Sequence, residues 1–386
     1  MMKVTGIIAE CNPLHEGHKY LIDEARRQCG ADYIVVALSG DYVQRGAPSI
    51  LSRESRTEAL LSAGADLVVE LPLYAACSGA DYFARGAVAL MENLGVVTDL
   101  VFGSETGDTD SLMEVSRRLN EESEQFRAAL TDRLREGLSY PSARASAMTD
   151  ANLPSTPNDL LGTEYLRALQ RSGSAIRPLA VKRTNCIGAT QIRSQMIASR
   201  QKSDPFLCRD DFSDLLLHAL YSAGSPEALT GYLDVSPDLA GRIFNELPGF
   251  TTYSDFCAAV KTRNYTYTRI SRALLHILLG ISSDTMRYFD TEHSLCGWIR
   301  PIGFRREAAP LIRGITNSCQ VPFLDKLSRA KDAMPEELYK VLLEELQAEF
   351  LYDLMASRRT GVRAVPAFSK PLIIKGGRAQ CFGKED

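Results

Sequence analysis

The stretch Gly6-Ile7-Ile8-Ala9-Glu10-Cys11-Asn12-Pro13-Leu14-His15-Glu16-Gly17-His18-Lys19-Tyr20 constrains this chain more than any other. An apolar run over residues 4–9 stops at the turn formers Asn12-Pro13, and apolar positions then recur at helical spacing (Tyr20, Leu21, Ala25) among charges. The pattern predicts a buried strand handing over to a helix that spans 17–28. The first backbone N–H groups of a helix are unpaired and its dipole is positive there, so such a junction attracts phosphate. His15 and His18, three apart, share one side of the opening turn and can donate to phosphate oxygens as charge develops. Gly17 between them leaves the backbone open to a flat base. The chain has 5 histidines in 386 residues, so two of them at this junction argue for chemistry rather than surface chance.

The first half then alternates short apolar runs (33–38, 67–71, 100–102 and 176–181) with amphipathic stretches (52–63, 84–94 and 109–119). Alternation of this kind predicts an α/β fold, a Rossmann-like parallel sheet covered by helices, with ligands at the carboxyl ends of the strands. The loops after these runs are glycine-bearing, among them Ser39-Gly40-Asp41-Tyr42-Val43-Gln44-Arg45-Gly46-Ala47-Pro48 and Gly103-Ser104-Glu105-Thr106-Gly107-Asp108. Asn158 and Asp159 stand near the start of a helix running to about residue 171. After the last strand come Lys182-Arg183 and then Ile187-Gly188-Ala189-Thr190-Gln191-Ile192-Arg193, small and hydroxyl residues leading to an arginine at a helix start. An arginine there is placed to meet phosphate oxygens.

Beyond residue 206 the periodicity turns helical (211–223, 253–260, 267–279 and 335–355) and strand runs are no longer evident. The expected boundary therefore falls near 203–205, with an α/β domain over 1–203 and a mostly α-helical domain over 204–386. The net charge of −4 excludes a globally basic nucleic-acid binder, so any RNA surface must be local. Residues 256–283 supply one: the run contains no acid and carries Lys261, Arg263, Arg269 and Arg272 with Tyr265 and Tyr267 between them. Arg269, Arg272 and His276 fall on one helical face. A second acid-free run, 355–384, carries Arg358, Arg359, Arg363, Lys370, Lys375 and Arg378. The 9 cysteines form no C-x-x-C pair, which fits a reducing cytoplasm and no zinc site. No apolar run is long enough to span a bilayer.

Asn12-Pro13-Leu14-His15-Glu16-Gly17-His18 resembles the H-x-G-H signature of the nucleotidylyltransferase superfamily. Together with residues 39–48, Gly64-Ala65-Asp66-Leu67-Val68-Val69-Glu70-Leu71-Pro72, Phe102 to Asp108 and Pro157-Asn158-Asp159-Leu160-Leu161-Gly162, it is similar to the bacterial tRNA(Met) cytidine acetate ligase family over nearly the whole chain. The resemblance implies ATP-dependent activation of acetate to acetyl-adenylate and acetylation of the wobble cytidine of elongator tRNA(Met), with a nucleotidylyltransferase-like ATP-binding catalytic role for 1–203 and RNA binding for 204–386. It implies ATP contacts along Ile7 to Tyr20 and at Gly103, Asn158 and Arg183, and catalytic roles for His15, His18 and Arg193. The chain departs from the family at Cys11 and Leu14, where an aromatic pair is usual, and in the short link between Arg183 and Ile187. Magnesium is expected only in company with ATP, with Asp41 and Asp108 its candidates by position; no dedicated metal site is read from the sequence. Residue types and spacing by themselves leave two other classes open: a small-molecule adenylyltransferase of coenzyme metabolism, and a non-catalytic RNA-binding protein on a relict nucleotide fold. They leave the oligomeric state open as well.

Overall fold

The computed structural model describes residues 2–121, 124–135, 154, 156–184, 186–201, 203–366 and 373–374. Five strands, β1 (Val4–Ala9), β2 (Tyr33–Ser39), β5 (Leu67–Leu71), β6 (Asp99–Ser104) and β7 (Arg177–Lys182), run parallel in the spatial order β7-β6-β1-β2-β5, as the alternation predicts. A two-stranded hairpin, β3 (Tyr42–Val43) with β4 (Ala47–Pro48), interrupts the loop after β2. Along β1, Val4 and Ile8 join the larger core while Ile7 joins the smaller one; along β2, Val35 and Ala37 alternate likewise with Ile34, Val36 and Leu38. Both faces of the strands are therefore covered, which is why they read as continuous apolar runs.

Helices α1 (Glu16–Cys29) and α2 (Arg53–Ser62) cover one face; α3 (Ala80–Asn93), α4 (Thr109–Asn120) and α5 (Pro157–Ser172) cover the other. α1 has local reasons to start and stop: an imidazole cap at His15, Glu16 in the first turn, Arg26 and Arg27 in the last, and Gly30 at φ 59° beyond it. A further helix, α6 (Ala189–Ala198), follows β7.

The second half corrects one expectation. Strands do not cease after residue 206: β8 (Pro301–Phe304) pairs antiparallel with β5, and β9 (Ile373–Ile374) pairs parallel with β8, completing a seven-stranded sheet. A four-residue run with a proline and a glycine is too short to show a period. The remainder is helical, including α7 (Tyr267–Leu279) and the long α8 (Glu336–Thr360). The larger core is continuous between the halves, from Leu73 to Cys77 into Leu274, Ile277, Phe289 and Leu342. Tyr42 donates to the Ala348 carbonyl at 3.1 Å, and Tyr352 to that of Ser49 at 3.0 Å, so α8 grips the loop after β2 from behind. No helix among the described residues is long and apolar enough to cross a membrane.

Candidate active site

A cavity of about 610 Å³ opens at the carboxyl ends of β1, β6 and β7, where a parallel sheet of this kind places its ligands. One wall is apolar (Phe83, Phe102, Leu160, Leu161 and Tyr165); facing it are His15, His18, Arg45, Asn158, Arg183 and Arg193.

The two histidines are oriented by backbone. His15 Nδ1 accepts from the Gly17 amide at 3.0 Å and His18 Nδ1 from the His15 amide at 3.2 Å, a reciprocal cap on α1, with ring centroids 4.0 Å apart. Each Nδ1 is thus an acceptor, which leaves the proton of the neutral ring on Nε2. Burial holds both rings neutral: His15 is lowered by burial and then by Arg183, and His18 is pushed down to about 3 by burial, then by His15 and Arg183. Both rings line the cavity, and Nε2 is in each the nitrogen that the cap does not use.

This arrangement alters one expectation and adds to another. The Gly17 amide is taken by His15 and does not face the cavity as a free donor. A side chain at residue 17 would meet His15 Cε1 at 2.9 Å and Cys186 Sγ at 3.0 Å, so the glycine makes room for the His15 ring as well as lining the cavity.

Arg193, on α6, donates to the Asn12 carbonyl at 2.6 Å and to Thr190 Oγ1 at 3.0 Å, which spans the cavity mouth from α6 to the turn before α1. Asn12 Oδ1 in turn accepts from the Ile50 amide at 2.8 Å. On the far side Asn158 donates to Glu105 Oε1 at 2.6 Å. Buried Asp159 accepts from Ser104 Oγ, from the Glu105 amide at 3.0 Å, from the Thr106 amide at 3.3 Å and from Thr156 Oγ1 at 2.9 Å. The loop after β6 is pinned to the start of α5 by that carboxylate. Gly103 lies against Arg183, whose amide bonds the Ser104 carbonyl at 2.9 Å.

Of the predicted ATP contacts, Ile8, Ala9, Glu10, Cys11, Asn12, His15, Gly17, His18, Tyr20, Gly103, Asn158 and Arg183 line the cavity. Ile7, Pro13, Leu14, Glu16 and Lys19 do not. Ile7 points to the opposite face of the sheet, Leu14 packs with that same smaller core, Pro13 is buried, and Glu16 pairs with Lys19 at 2.6 Å on the outer side of α1. Ser155 and Asn185 lie outside the described residues. Two side chains escaped the sequence reading. Arg56, fully buried, donates to the carbonyls of Leu51, Glu10, Ser39 and Gly40, so it ties the ends of β1 and β2 together. Arg45 reaches the cavity from the hairpin loop. Neither carries a local signal; an arginine on an amphipathic helix or in a loop usually faces water.

The magnesium candidates do not fit. Asp41 is buried and accepts from the Arg53 amide at 2.6 Å, and Asp108 caps α4 by accepting from Ser111. A buried trio elsewhere, Glu70, Glu345 and Glu349, meets Arg53 and Arg300 rather than open space: Arg53 lies 2.8 Å from Glu70 and 2.5 Å from Glu349, and Arg300 lies 2.9 Å from Glu70. Two guanidiniums already supply the positive charge there.

The expected RNA residues divide. Lys261 and Arg263 are exposed or nearly so, and Arg269 stacks over the Tyr265 ring at 4.9 Å. Arg272 is instead half-buried and bonded to Asp234 at 3.3 Å, and His276 is fully buried between the carbonyls of Leu233 (2.9 Å) and Cys77 (3.0 Å). The face expected to carry all three cations is turned inward from its second turn, because α7 packs on the loops after β2 and β5. In the second basic run, Arg359 is held by Asp211 at 3.2 Å and Arg358 lies 3.9 Å from Asp214; Lys370, Lys375 and Arg378 fall outside the described residues.

Comparison with known proteins finds matches along nearly the whole chain. The family model described as HIGH nucleotidyl transferase matches residues 2–201 and 188–364. The tRNA(Met) cytidine acetate ligase of Acetivibrio thermocellus is 34% identical over 97% of this chain and 100% of its own, and that of Clostridium kluyveri 33% identical over 86% and 92%. Among solved structures, Thermotoga maritima TmcAL bound with alpha-thio ATP superposes with a TM-score of 0.89 at 26% identity, covering 97% of this chain and all of that one. Its apo form gives 0.90 at 25% identity. A parallel sheet with the His15–His18 cap at its mouth, and matches of this length and identity, have one reading: the chain belongs to the HIGH nucleotidyl transferase family and, within it, to the tRNA(Met) cytidine acetate ligases.

Proposed function

We propose that this chain uses ATP to convert acetate to acetyl-adenylate and transfers the acetyl group to N4 of the wobble cytidine of elongator tRNA(Met). The observation that carries this reading is the pair of imidazoles that line the cavity with both Nδ1 atoms engaged by backbone amides, which leaves Nε2 of each to donate. Acetate is a poor acyl donor until one oxygen becomes a good leaving group. A carboxylate oxygen attacks the α-phosphorus of ATP, the bond to the bridging oxygen breaks, and pyrophosphate leaves. The cytidine amine then attacks the acyl carbon, AMP departs with the shared oxygen, and the amine loses a proton.

His15 and His18 are the donors for the α-phosphate as charge builds on it, and Arg193 with Arg183 stands for the outer phosphates. A preorganised donor of this kind is worth about 3–4 kcal/mol in the transition state because it needs no reorganisation. The apolar wall of Phe83, Phe102, Leu160, Leu161 and Tyr165 suits a base and excludes water from the mixed anhydride. Magnesium belongs to this scheme as the companion of ATP; no step is assigned to it. Residues 1–203 carry the adenylation chemistry and the helical part of 204–386 presents the RNA, with Lys261, Arg263 and Arg269 toward its backbone. On this reading the enzyme works in the cytoplasm, where its tRNA substrate is found; the cysteines among the described residues are free, as suits a reducing compartment.

The test is to incubate the protein with labelled acetate, ATP and total tRNA, omitting each in turn. Label in RNA that needs all three, recovered as N4-acetylcytidine from tRNA(Met), is the expected result. Pyrophosphate release that ignores acetate but needs a phosphorylated metabolite would favour a coenzyme adenylyltransferase. No release with any of them, alongside RNA binding, would favour a non-catalytic binder.

A further inference from the structure

Two tyrosines at the start of α7 are held as fixed platforms. Tyr265 shares a hydrogen bond with Ser236 Oγ at 3.0 Å and has the Arg269 guanidinium over its ring, 4.9 Å from the centroid. Tyr267 reaches the Ser254 carbonyl at 3.5 Å and accepts from Arg209 Nη1 on its hydroxyl at 2.5 Å, which sets that guanidinium at the hydroxyl edge, its carbon 5.1 Å from the ring centroid. All four side chains are half-buried, so the rings keep one fixed orientation while remaining accessible.

The second platform leads to the cavity. Burial lowers the affinity of Arg193 for its proton; of the charges that act on it, Arg45 lowers it further, the Glu10 carboxylate raises it and Arg209 lowers it. Arg45 is beside α7 because the next residue, Gly46, touches that helix's backbone: a Cβ there would fall 2.3 Å from the Arg272 nitrogen, and Ser271 Oγ donates to the Gly46 carbonyl at 2.5 Å. Among the described residues no carboxylate makes a salt bridge to Arg45, Arg193, Arg209 or Arg269, whereas Arg272, Arg358 and Arg359 all have one.

We infer that Tyr265–Arg269 and Tyr267–Arg209 form a single-strand RNA track that ends at Arg193 and Arg45, delivering an unstacked nucleotide to the acyl-adenylate cavity. The inference rests on the proposed acetyl transfer for its purpose and names the residues that would bring the RNA to that site. Guanidinium over aromatic ring is a surface on which successive bases stack without regard to sequence, and the arginines meet the phosphates between them. A base paired within a duplex could not reach the cavity, so the strand must arrive already open.

The deciding measurement is equilibrium binding of unmodified tRNA by the full chain over a series of salt concentrations, beside acetate-dependent exchange of pyrophosphate into ATP without RNA. Arg209→Gln should weaken binding about tenfold and flatten the log K against log salt slope by about 0.7, one phosphate on a single strand, while exchange stays at the wild-type rate. Tyr267→Ala should weaken binding at least fivefold, the smaller end of about 1–3 kcal/mol for one stacked base, and leave the slope nearly as it was. Should Tyr267→Ala unfold, Arg209→Gln and its rescue by Arg209→Lys still decide. Unchanged binding and slope in Arg209→Gln, or exchange falling in step with binding, would remove the track. Absence of acetate-dependent exchange in the wild type would instead overturn the acetylation reading, while the salt series would go on deciding the track.

Discussion

His18 shows how one side chain is made into a reagent by its neighbours. Its pKa is lowered from 6.5 to about 3 by burial first, so the unfolded chain binds a proton more readily than the folded one. Stability from this residue is therefore fully present above pH 6.5 and is lost as pH falls toward 3, with a slope of about 1.4 kcal/mol per pH unit for each proton. His18→Asn should flatten the stability curve measured by urea unfolding in that window. The same change should slow acetate-dependent pyrophosphate exchange by about a thousandfold, since a donor aimed at the α-phosphate is lost, while tRNA binding is retained. Exchange and binding lost together would mark the histidine as structural. Asp159 works by position: Asp159→Ala leaves the Glu105 and Thr106 amides without their acceptor. A loss of about 1–3 kcal/mol in stability and weaker ATP binding by calorimetry are expected.

Helix α7 is where an element has two duties. Its amino end offers Tyr265, Tyr267 and Arg269, and from Ser271 onward it is packed against the hairpin loop and the loop after β5. Arg269→Glu should weaken tRNA binding and lower its salt slope. Arg272→Glu should act differently, since it sets a second acid beside Asp234; stability falls, and Asp234→Arg restores part of it, with a coupling of about 0.5–3 kcal/mol in a double-mutant cycle. Gly46 marks the docking point at φ 70°, a left-handed conformation with backbone pressed against it. Gly46→Ala should cost about 2–4 kcal/mol through strain and overlap, seen as a lower midpoint in thermal unfolding.

Across the molecule, the halves are joined by a buried charge network as well as by a strand. Arg53 on α2 and Arg300 beside β8 share Glu70 at the end of β5 and Glu349 on α8. Burial would raise the Glu349 carboxyl, but Arg300 and Arg53 hold it below its usual range. Glu345, buried with fewer partners, is raised well above that range, first by burial and then by Glu70 and Glu349. With Glu345 protonated, two guanidiniums balance two carboxylates. Glu349→Gln should cost about 3–5 kcal/mol by urea unfolding, because two cations lose a shared partner. The strand–helix alternation, the His15–His18 junction and the small-residue approach to Arg193 were all legible in the residue order, because periodicity, caps and turn formers act between neighbours a few positions apart. The return of β8 to the sheet, the inward turn of Arg272 and His276, the buried service of Arg56, and the meeting of Arg45 and Arg193 at one cavity were decided only by packing. Residues 148 or more positions apart in sequence, such as Arg45 and Arg193, meet through the path of the whole chain, and nothing in either one's neighbours encodes the encounter.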